Sequence, residues 1–322
     1  MSQALLEVTG LKTYFPITGG LFRQAVGYVK AVDGVSFRIE KGEAFGLVGE
    51  SGSGKTTIGR TILRLNKKTA GTVKFNGHDI HDLPPKELQK LRPKMQYIFQ
   101  DPYSSLDPRM RIGDAIGEPL LQHGLAATPL ELHQQVEEIL QLCGLAPYQM
   151  DRFAHEFSGG QRQRIVIARA MALNPEFVVA DEPVSALDVS IQAQIINLFS
   201  DLQEQKKLSY LFISHDLSVV EHLCSKIAIM YLGVLVELAP REELFTHPLH
   251  PYTKALLSAI PVPDPTIRRQ RMILNGDIPS PVQPPSGCRF HTRCPQAKDI
   301  CRQAIPNLRD LGNGHQIACH LV

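Results

Sequence analysis

A glycine-rich octet at residues 49–56 has the residue types of a phosphate-binding loop. It reads Gly49-Glu50-Ser51-Gly52-Ser53-Gly54-Lys55-Thr56 and fits the pattern G-x-x-x-x-G-K-[ST] in full. Glycines let successive backbone N–H groups point into one concavity, and a helix that begins there adds its partial positive charge. Lys55 can reach the β- and γ-phosphates of a nucleotide, and the Thr56 hydroxyl can bind Mg²⁺. The octet therefore predicts a nucleoside-triphosphate site rather than an ordinary Gly-rich turn.

Two adjacent carboxylates, Asp181 and Glu182, end the apolar run 177–180. At the carboxyl edge of a parallel sheet such a pair faces the ligand crevice. Asp181 is then placed to hold Mg²⁺, directly or through water, and Glu182 to polarise an attacking water. Taken alone, this pair would not indicate a ligand site, because strands often end in acidic turns. Its distance downstream of the octet, with another motif between them, supports the prediction of a metal-binding and catalytic site.

The motif between them is the polar glycine turn Ser158-Gly159-Gly160-Gln161. Ser158 is a typical N-cap for the helix that we predict over residues 165–172. Taken alone, the turn fits an ordinary helix cap as well as a second anion-binding site.

The elements that must position these motifs alternate between short apolar strands and helices. Strands are predicted at residues 5–8, 35–39, 44–48, 72–75, 177–180 and 210–213, and helices begin near residues 57, 84 and 191. The continuous apolar runs at 177–180 and 210–213 are typical of buried parallel strands. This order predicts an α/β fold. Residues 110–155 have apolar spacing closer to that of helices.

Length and composition indicate an ordinary globular chain of about two domains. The 322 residues are 43% hydrophobic and 20% charged, with a net charge of +2, which gives no argument for nucleic-acid binding. The longest uncharged apolar stretch lies within residues 227–236, about half of what a membrane span needs. The start of the chain does not resemble a secretory signal, so a cytoplasmic location is expected. Nine prolines between residues 248 and 285 mark a separate C-terminal appendage with weak regular structure.

The three motifs together resemble those of the ATP-binding cassette (ABC) ATPases. Further pieces follow in the order of that family: Gln100 resembles the Q-loop glutamine, Ser185-Ala186-Leu187-Asp188 the D-loop, and His215 the switch histidine. The resemblance covers about residues 5–240. It implies a P-loop ATPase core with an antiparallel β subdomain and a helical subdomain at about 101–172, so that residues 1–240 form the ATPase domain and 241–322 the appendage.

The resemblance also implies roles for single residues. Glu182, His215 and Gln100 would be catalytic, and Mg²⁺ would be bound by Thr56, Gln100 and Asp181. The adenine would stack on Phe15, with Tyr14 as the second choice. The ATP-binding residues would be Gly49, Glu50, Ser51, Gly52, Ser53, Gly54, Lys55, Thr56 and Thr57. In this family two cassettes enclose two nucleotides between them. Five residues of this chain would therefore contact the ATP that the neighbouring subunit binds: Ser158, Gly159, Gly160, Gln161 and Asp188.

The C-terminal part resembles the ATPases of dipeptide and oligopeptide importers, and most closely their second ATPase. Residues 247–257 and 276–290 carry this likeness, together with the run 100–109. The resemblance implies ATP hydrolysis that energises peptide import, a second and non-identical ATPase, two membrane permeases and a substrate-binding protein. It places the chain peripherally at the cytoplasmic face of the membrane. Related nickel and glutathione importers, and a soluble ABC machine acting on nucleic acid or ribosomes, are the alternatives.

Four of the six cysteines, Cys288, Cys294, Cys301 and Cys319, cluster in the appendage, whereas Cys143 and Cys224 have the surroundings of core thiols. In a reducing compartment four thiolates suit Zn²⁺ or a [4Fe–4S] cluster. Their spacing differs from the C-x₂-C of zinc ribbons, and some importers that the chain resembles carry an iron–sulfur cluster. We therefore expect a [4Fe–4S] cluster, with Zn²⁺ or uncoordinated thiols as alternatives. We expect it to be structural, since none of the predicted ATP-site elements lies in this segment.

Overall fold

The computed structural model describes residues 4–19, 24–260 and 272–322. Pro261, Pro263 and Pro265 of the proline-rich stretch lie outside the described residues. The strands are β1 Leu6–Gly19, β2 Gln24–Ile39, β3 Ala44–Val48, β4 Ala70–Phe75, β5 His78–Asp79, β6 Met95–Ile98, β7 Phe177–Asp181, β8 Ser209–Ser214, β9 Lys226–Tyr231, β10 Val234–Pro240, β11 Arg309–Asp310 and β12 Gln316–Ile317. The helices are α1 Lys55–Ile62, α2 Pro85–Leu91, α3 Ile112–Gln122, α4 Pro129–Leu142, α5 Gly159–Met171, α6 Val189–Lys206, α7 Leu217–Leu223, α8 Arg241–Thr246, α9 Pro251–Ser258 and α10 Asp299–Gln303.

The chain divides into two compact units. Unit 1 gathers the described residues of Met1–Glu40, Phe45–Asp82 and Ser214–Val322, and unit 2 those of Lys41–Ala44 and Leu83–Ile213. The phosphate-binding loop and the four clustered cysteines fall in unit 1, and the acidic strand end and the second glycine turn fall in unit 2.

Unit 1 contains an antiparallel sheet in the order β2-β1-β4-β5. Both β1 and β2 are longer than the sequence predicts, because their paired outer parts alternate weakly between buried and exposed side chains and so give little hydrophobic signal. The same unit holds the strand order β11-β12-β10-β9-β3, in which β3 and β9 are parallel.

Unit 2 combines the parallel strands β6, β7 and β8 with the helices α2 to α6. Every residue of β7 and β8 is buried, as their apolar runs predict. Helix α5 begins at Gly159, earlier than the sequence predicts, since Ser158 and Gln161 form a capping box that starts the helix at the glycines. Within the described part of the chain, no helix is both long and apolar enough to cross a bilayer.

The C-terminal segment is built into unit 1, although its composition suggests a separate appendage. Strand β12 pairs with β10, and the Ala318 N–H donates to the Val236 carbonyl at 2.9 Å. The ring of Phe290 is only 1% exposed, and its centroid lies 5.1 Å from that of Tyr231 and 5.3 Å from that of Tyr252. Much of this segment is therefore held by the core of unit 1.

Candidate functional site

The phosphate-binding loop runs from the end of β3 into α1, as predicted. A Cβ atom built on Gly49 would lie 2.2 Å from the Met230 carbonyl oxygen. Gly54 has φ of 107°, and a Cβ there would lie 2.1 Å from the Ala31 carbonyl oxygen. Only glycine fits at these two positions, because backbone oxygens occupy the space that a side chain needs.

The polar groups of the loop suit a bound polyphosphate. Lys55 is 4% exposed, and its Nζ donates to the carbonyl oxygens of Gly49 at 2.7 Å and Glu50 at 3.0 Å. The Ser53 hydroxyl is buried without a hydrogen-bond partner. No side chain caps the N-terminus of α1, and the dipole of that helix favours an anion at this end.

The two aromatic candidates for adenine stacking, Tyr14 and Phe15, are consecutive residues of β1. Phe15 is 39% exposed, whereas the Tyr14 hydroxyl donates to the Asp33 carboxylate. Burial alone would raise the pKa of Asp33, but the Tyr14 hydrogen bond, the charge of Arg289 and the contact with Lys12 outweigh it and lower that pKa. Asp33 is therefore a carboxylate that holds Tyr14 in place, which leaves Phe15 as the more accessible ring.

The acidic strand end of unit 2 is held by two neighbours on the β6 side. Asp181 is 2% exposed and accepts a hydrogen bond from the Tyr97 hydroxyl at 2.7 Å. Gln100 follows β6, and its Nε2 donates to Glu182 Oε2 at 3.0 Å. The structure thus brings Gln100, Asp181 and Glu182 together through the parallel pairing of β6 with β7.

Glu182 has a strained backbone. Its φ is 47°, in the left-handed region that few non-glycine residues occupy. The Glu182 N–H donates to the Ile213 carbonyl at 2.9 Å, and the Ser185 hydroxyl donates to the Glu182 carbonyl at 3.0 Å. Such strain persists where surrounding contacts fix it and is concentrated at functional sites. It sets the direction in which the Glu182 side chain leaves the strand end.

The second glycine turn and the D-loop pack against each other in unit 2. Ser158 caps α5, and a Cβ on Gly160 would lie 2.5 Å from the Ile191 side chain, in the first turn of α6. Asp188 caps α6 by accepting from the Ile191 N–H at 3.0 Å and is itself solvent-exposed. This backbone hydrogen bond, and then that of the Ser190 hydroxyl, lower the pKa of Asp188. Ser158 and Asp188 are thus exposed at the N-termini of α5 and α6.

His215 comes directly after β8 and is exposed. The neighbouring residues fix the chain there, because the Asp216 N–H donates to the Ser214 hydroxyl at 3.0 Å and Asp216 caps α7. His215 belongs to unit 1, as do Thr56 and Thr57, whereas Gln100 and Asp181 belong to unit 2. Oxygen atoms of Thr56, Gln100 and Asp181 are the ligand type that Mg²⁺ prefers.

Two of the four clustered cysteines, Cys288 and Cys294, have a raised thiol pKa. At Cys288 the pKa is raised to about 11, first by burial and then by the nearby Cys301, Cys319 and Cys294. The Cys288 N–H donates to the Cys301 carbonyl at 2.8 Å. Among the described residues, however, no group of three or more His, Cys, Asp or Glu side chains has the arrangement of a metal site. Cys143 and Cys224 are both buried, as predicted for core thiols.

Several residues that contact the predicted site residues could not be identified from the sequence. Tyr97 precedes the Q-loop in an apolar strand, where a tyrosine is usually a packing residue. Arg289 and Arg293 lie far along the chain but contact Asp33 and Glu50. Arg293 of the C-terminal segment thus binds Glu50, a residue of the phosphate-binding loop. No local pattern in the sequence could have indicated such long-range ion pairs.

Comparisons with known proteins agree with this geometry. Residues 32–185 match the ABC transporter family, and residues 236–301 match the C-terminal region of oligopeptide/dipeptide transporters. The chain is 54% identical over 322 residues to the oligopeptide transport ATP-binding protein AppF of Bacillus subtilis (strain 168), covering 99% of this chain and 98% of AppF.

Solved structures of ATP-binding cassettes have the same fold. The dimeric cassette MJ0796, in a post-hydrolysis state bound to ADP and Pi, is 27% identical with a TM-score of 0.65, covering 73% of this chain and 98% of that one. The cbiO1 protein from Clostridium perfringens, 23% identical, has a TM-score of 0.66 and covers 76% of this chain and 92% of its own. The predicted α/β fold of an ABC-type ATPase core is confirmed. The chain belongs to the ABC transporter family, as an ATPase whose C-terminal region is of the oligopeptide/dipeptide transporter type.

Proposed function

We propose that this ATPase drives the import of dipeptides or oligopeptides through partner membrane permeases. The observation that carries the proposal is the pairing of an ABC transporter match at residues 32–185 with an oligopeptide/dipeptide transporter match at residues 236–301. The likeness to AppF over almost the whole of both chains supports it. A second, non-identical ATPase, two permeases and a substrate-binding protein complete the complex, and the chain lies at the cytoplasmic face of the membrane.

In this proposal the residues of unit 1 bind and orient the nucleotide. The glycine loop surrounds the phosphates with backbone N–H groups, Lys55 balances their charge, and Phe15 stacks on the adenine. His215 holds the γ-phosphate and the attacking water in line. Thr56 of unit 1 and Gln100 and Asp181 of unit 2 would hold Mg²⁺, which would neutralise charge on the phosphates.

Unit 2 supplies the base and the second half of a shared site. Glu182 orients the water and accepts its proton, and the hydrogen bond from Gln100 holds that carboxylate in position. The edge formed by Ser158, Gly160 and Asp188 closes the nucleotide of the neighbouring ATPase. Ser158 and Asp188 are exposed in the isolated chain, as an intersubunit role requires.

For the four cysteines we propose one [4Fe–4S] cluster, with Zn²⁺ as the alternative metal. The support is the hydrogen bond between the Cys288 and Cys301 segments, together with the raised pKa of the Cys288 and Cys294 thiols, to which burial and then Cys301 and Cys319 contribute. Soft thiolates suit either metal. Coordination would require the side chains to rearrange, since these thiols do not have the arrangement of a metal site.

The transport proposal is tested in a strain that lacks the chain. Uptake of labelled di- and tripeptides should be lost, restored by the wild-type chain and not restored by Glu182→Gln, and permeases should co-purify with the wild-type chain from membranes. Unchanged peptide uptake together with lost nickel or glutathione uptake would favour a related importer. Recovery of the chain with ribosomes or nucleic acid, and not with membranes, would favour a soluble machine.

A further inference from the structure

A short loop in the C-terminal segment carries two arginines between two of the clustered cysteines. This arginine loop, residues 288–294, reads Cys-Arg-Phe-His-Thr-Arg-Cys. Backbone hydrogen bonds close it, from the His291 N–H to the Cys288 carbonyl and from the Arg293 N–H to the Phe290 carbonyl, both at 3.0 Å. The buried ring of Phe290 anchors it in the core of unit 1. The loop is therefore a fixed platform and not a flexible tail.

Arg293 binds the phosphate-binding loop directly. Its two terminal nitrogens donate to the two carboxylate oxygens of Glu50 at 2.7 Å and 3.2 Å, and the Arg293 side chain is 8% exposed. The Glu50 N–H donates to the Tyr252 hydroxyl at 3.0 Å. Residues of the C-terminal segment thus hold both the side chain and the backbone of the second residue of the octet.

Arg289 supports the same region from another direction. Its guanidinium binds the Asp33 carboxylate and the Leu232 carbonyl. The next residue, Gly233, accepts from the Asp33 N–H at 2.8 Å and donates to the Ser53 carbonyl at 2.9 Å. Arg289 therefore fixes a turn that is hydrogen-bonded to the phosphate-binding loop.

We propose that the arginine loop is a positioning element of the ATP site, acting through Glu50 and Asp33. The proposal rests on the nucleotide role assigned above to residues 49–56. A loop that is already held in its binding geometry loses less conformational freedom when the ligand binds. A bidentate guanidinium–carboxylate pair, largely removed from water, holds such geometry well because its orientation is specific. The C-terminal segment thereby sets the affinity of the chain for ATP.

Titration of the purified full-length chain with a fluorescent ATP analogue and Mg²⁺ tests this. Arg293→Met should weaken binding about tenfold, the loss expected for one desolvated charge-assisted pair. Arg293→Lys should restore part of the affinity, because it keeps the charge but not the bidentate geometry. Glu50→Gln should weaken binding similarly, and the double variant should be no weaker than either single variant, since all three lack the same contact.

Arg309→Met is the matched control. Arg309 lies in the same segment, but its guanidinium donates to the Cys319 and Val322 carbonyls and not to the phosphate-binding loop. This variant should keep wild-type ATP affinity even if its melting temperature falls. In the assembled complex Arg293→Met should raise the KM for ATP and leave kcat within about twofold, because the lost positioning affects binding and not the chemical step.

Wild-type affinity in folded Arg293→Met overturns the proposal, as do independent, additive losses for Arg293→Met and Glu50→Gln. If Arg293→Met does not fold, Glu50→Gln probes the same contact from the other side, and unchanged affinity there has the same meaning. Failure of the proposed function gives a different result: a wild-type chain that does not bind the analogue, or a deletion strain with normal uptake.

Discussion

Gly54→Ala is expected to weaken ATP binding on the order of 100-fold, and the geometry gives the reason. The backbone of Gly54 has φ of 107°, where a non-glycine residue is strained by about 1–2 kcal/mol or more. The new Cβ would also lie 2.1 Å from the Ala31 carbonyl oxygen and 2.8 Å from the Met230 methyl group. The methyl group can rotate away, but a backbone oxygen in β2 cannot. The loop must therefore shift, and a displacement of this kind costs on the order of 100-fold in affinity.

Gly52→Ala is the matched comparison, since it adds the same methyl group to the same loop. Gly52 also has positive φ, of 79°, but no atom lies within 4 Å of the position of its Cβ. Only the conformational cost remains, about 1–2 kcal/mol, which corresponds to about a 5- to 30-fold loss. Titration with a fluorescent ATP analogue measures both variants, with thermal unfolding to show that each is folded. Equal affinities for the two variants, or near wild-type binding by Gly54→Ala, would refute the reasoning.

The remaining predictions concern turnover, the shared site and the cysteines. Glu182→Gln should retain ATP but release little phosphate in the assembled complex, since an amide cannot accept the proton of the water; near wild-type phosphate release would contradict its role. Lys55→Ala should weaken nucleotide binding to the isolated chain, whereas Ser158→Arg should leave it intact and block ATP-dependent cross-linking of the two ATPases; equal binding losses would contradict a shared site. Anaerobically purified protein should be brown with about four iron atoms per chain, and Cys294→Ser should lose them; colourless protein with stoichiometric zinc would identify the alternative metal.

The strand, loop and helix around the octet could be predicted, because the conformation of the loop and the binding of phosphate require glycines and Lys55 within one short stretch of sequence. The buried strand ending in Asp181 could be predicted for a similar reason, since a continuous apolar run is needed wherever both faces of a strand are covered. The outer parts of β1 and β2 could not, because a strand pair with little buried surface leaves no periodic pattern.

Contacts between segments that are far apart in the chain could not be predicted from the sequence. The composition of the C-terminal segment indicates weak regular structure, which is correct for its short helices and strands. The composition does not show that Phe290 enters the core or that Arg293 reaches Glu50. A single aromatic or basic residue in the sequence does not indicate which distant residue its side chain contacts. The positive φ of Glu182 could not be predicted either, since glutamate has no preference for the left-handed region of backbone conformation.

The pairing of β12 with β10 has a consequence for shortened forms of the chain. Glu237 in β10 is fully buried and interacts with His315, just before β12, at 2.8 Å. A chain that stops before β11 would leave Glu237 with only the Leu249 and His250 N–H groups as partners, and it would uncover the N–H and C=O groups of β10 that β12 pairs with. Open edges of this kind recruit strands from other molecules. Residues 309–322 thus cover part of the β10 edge, and we expect a chain that ends before β11 to self-associate more readily than the full-length chain.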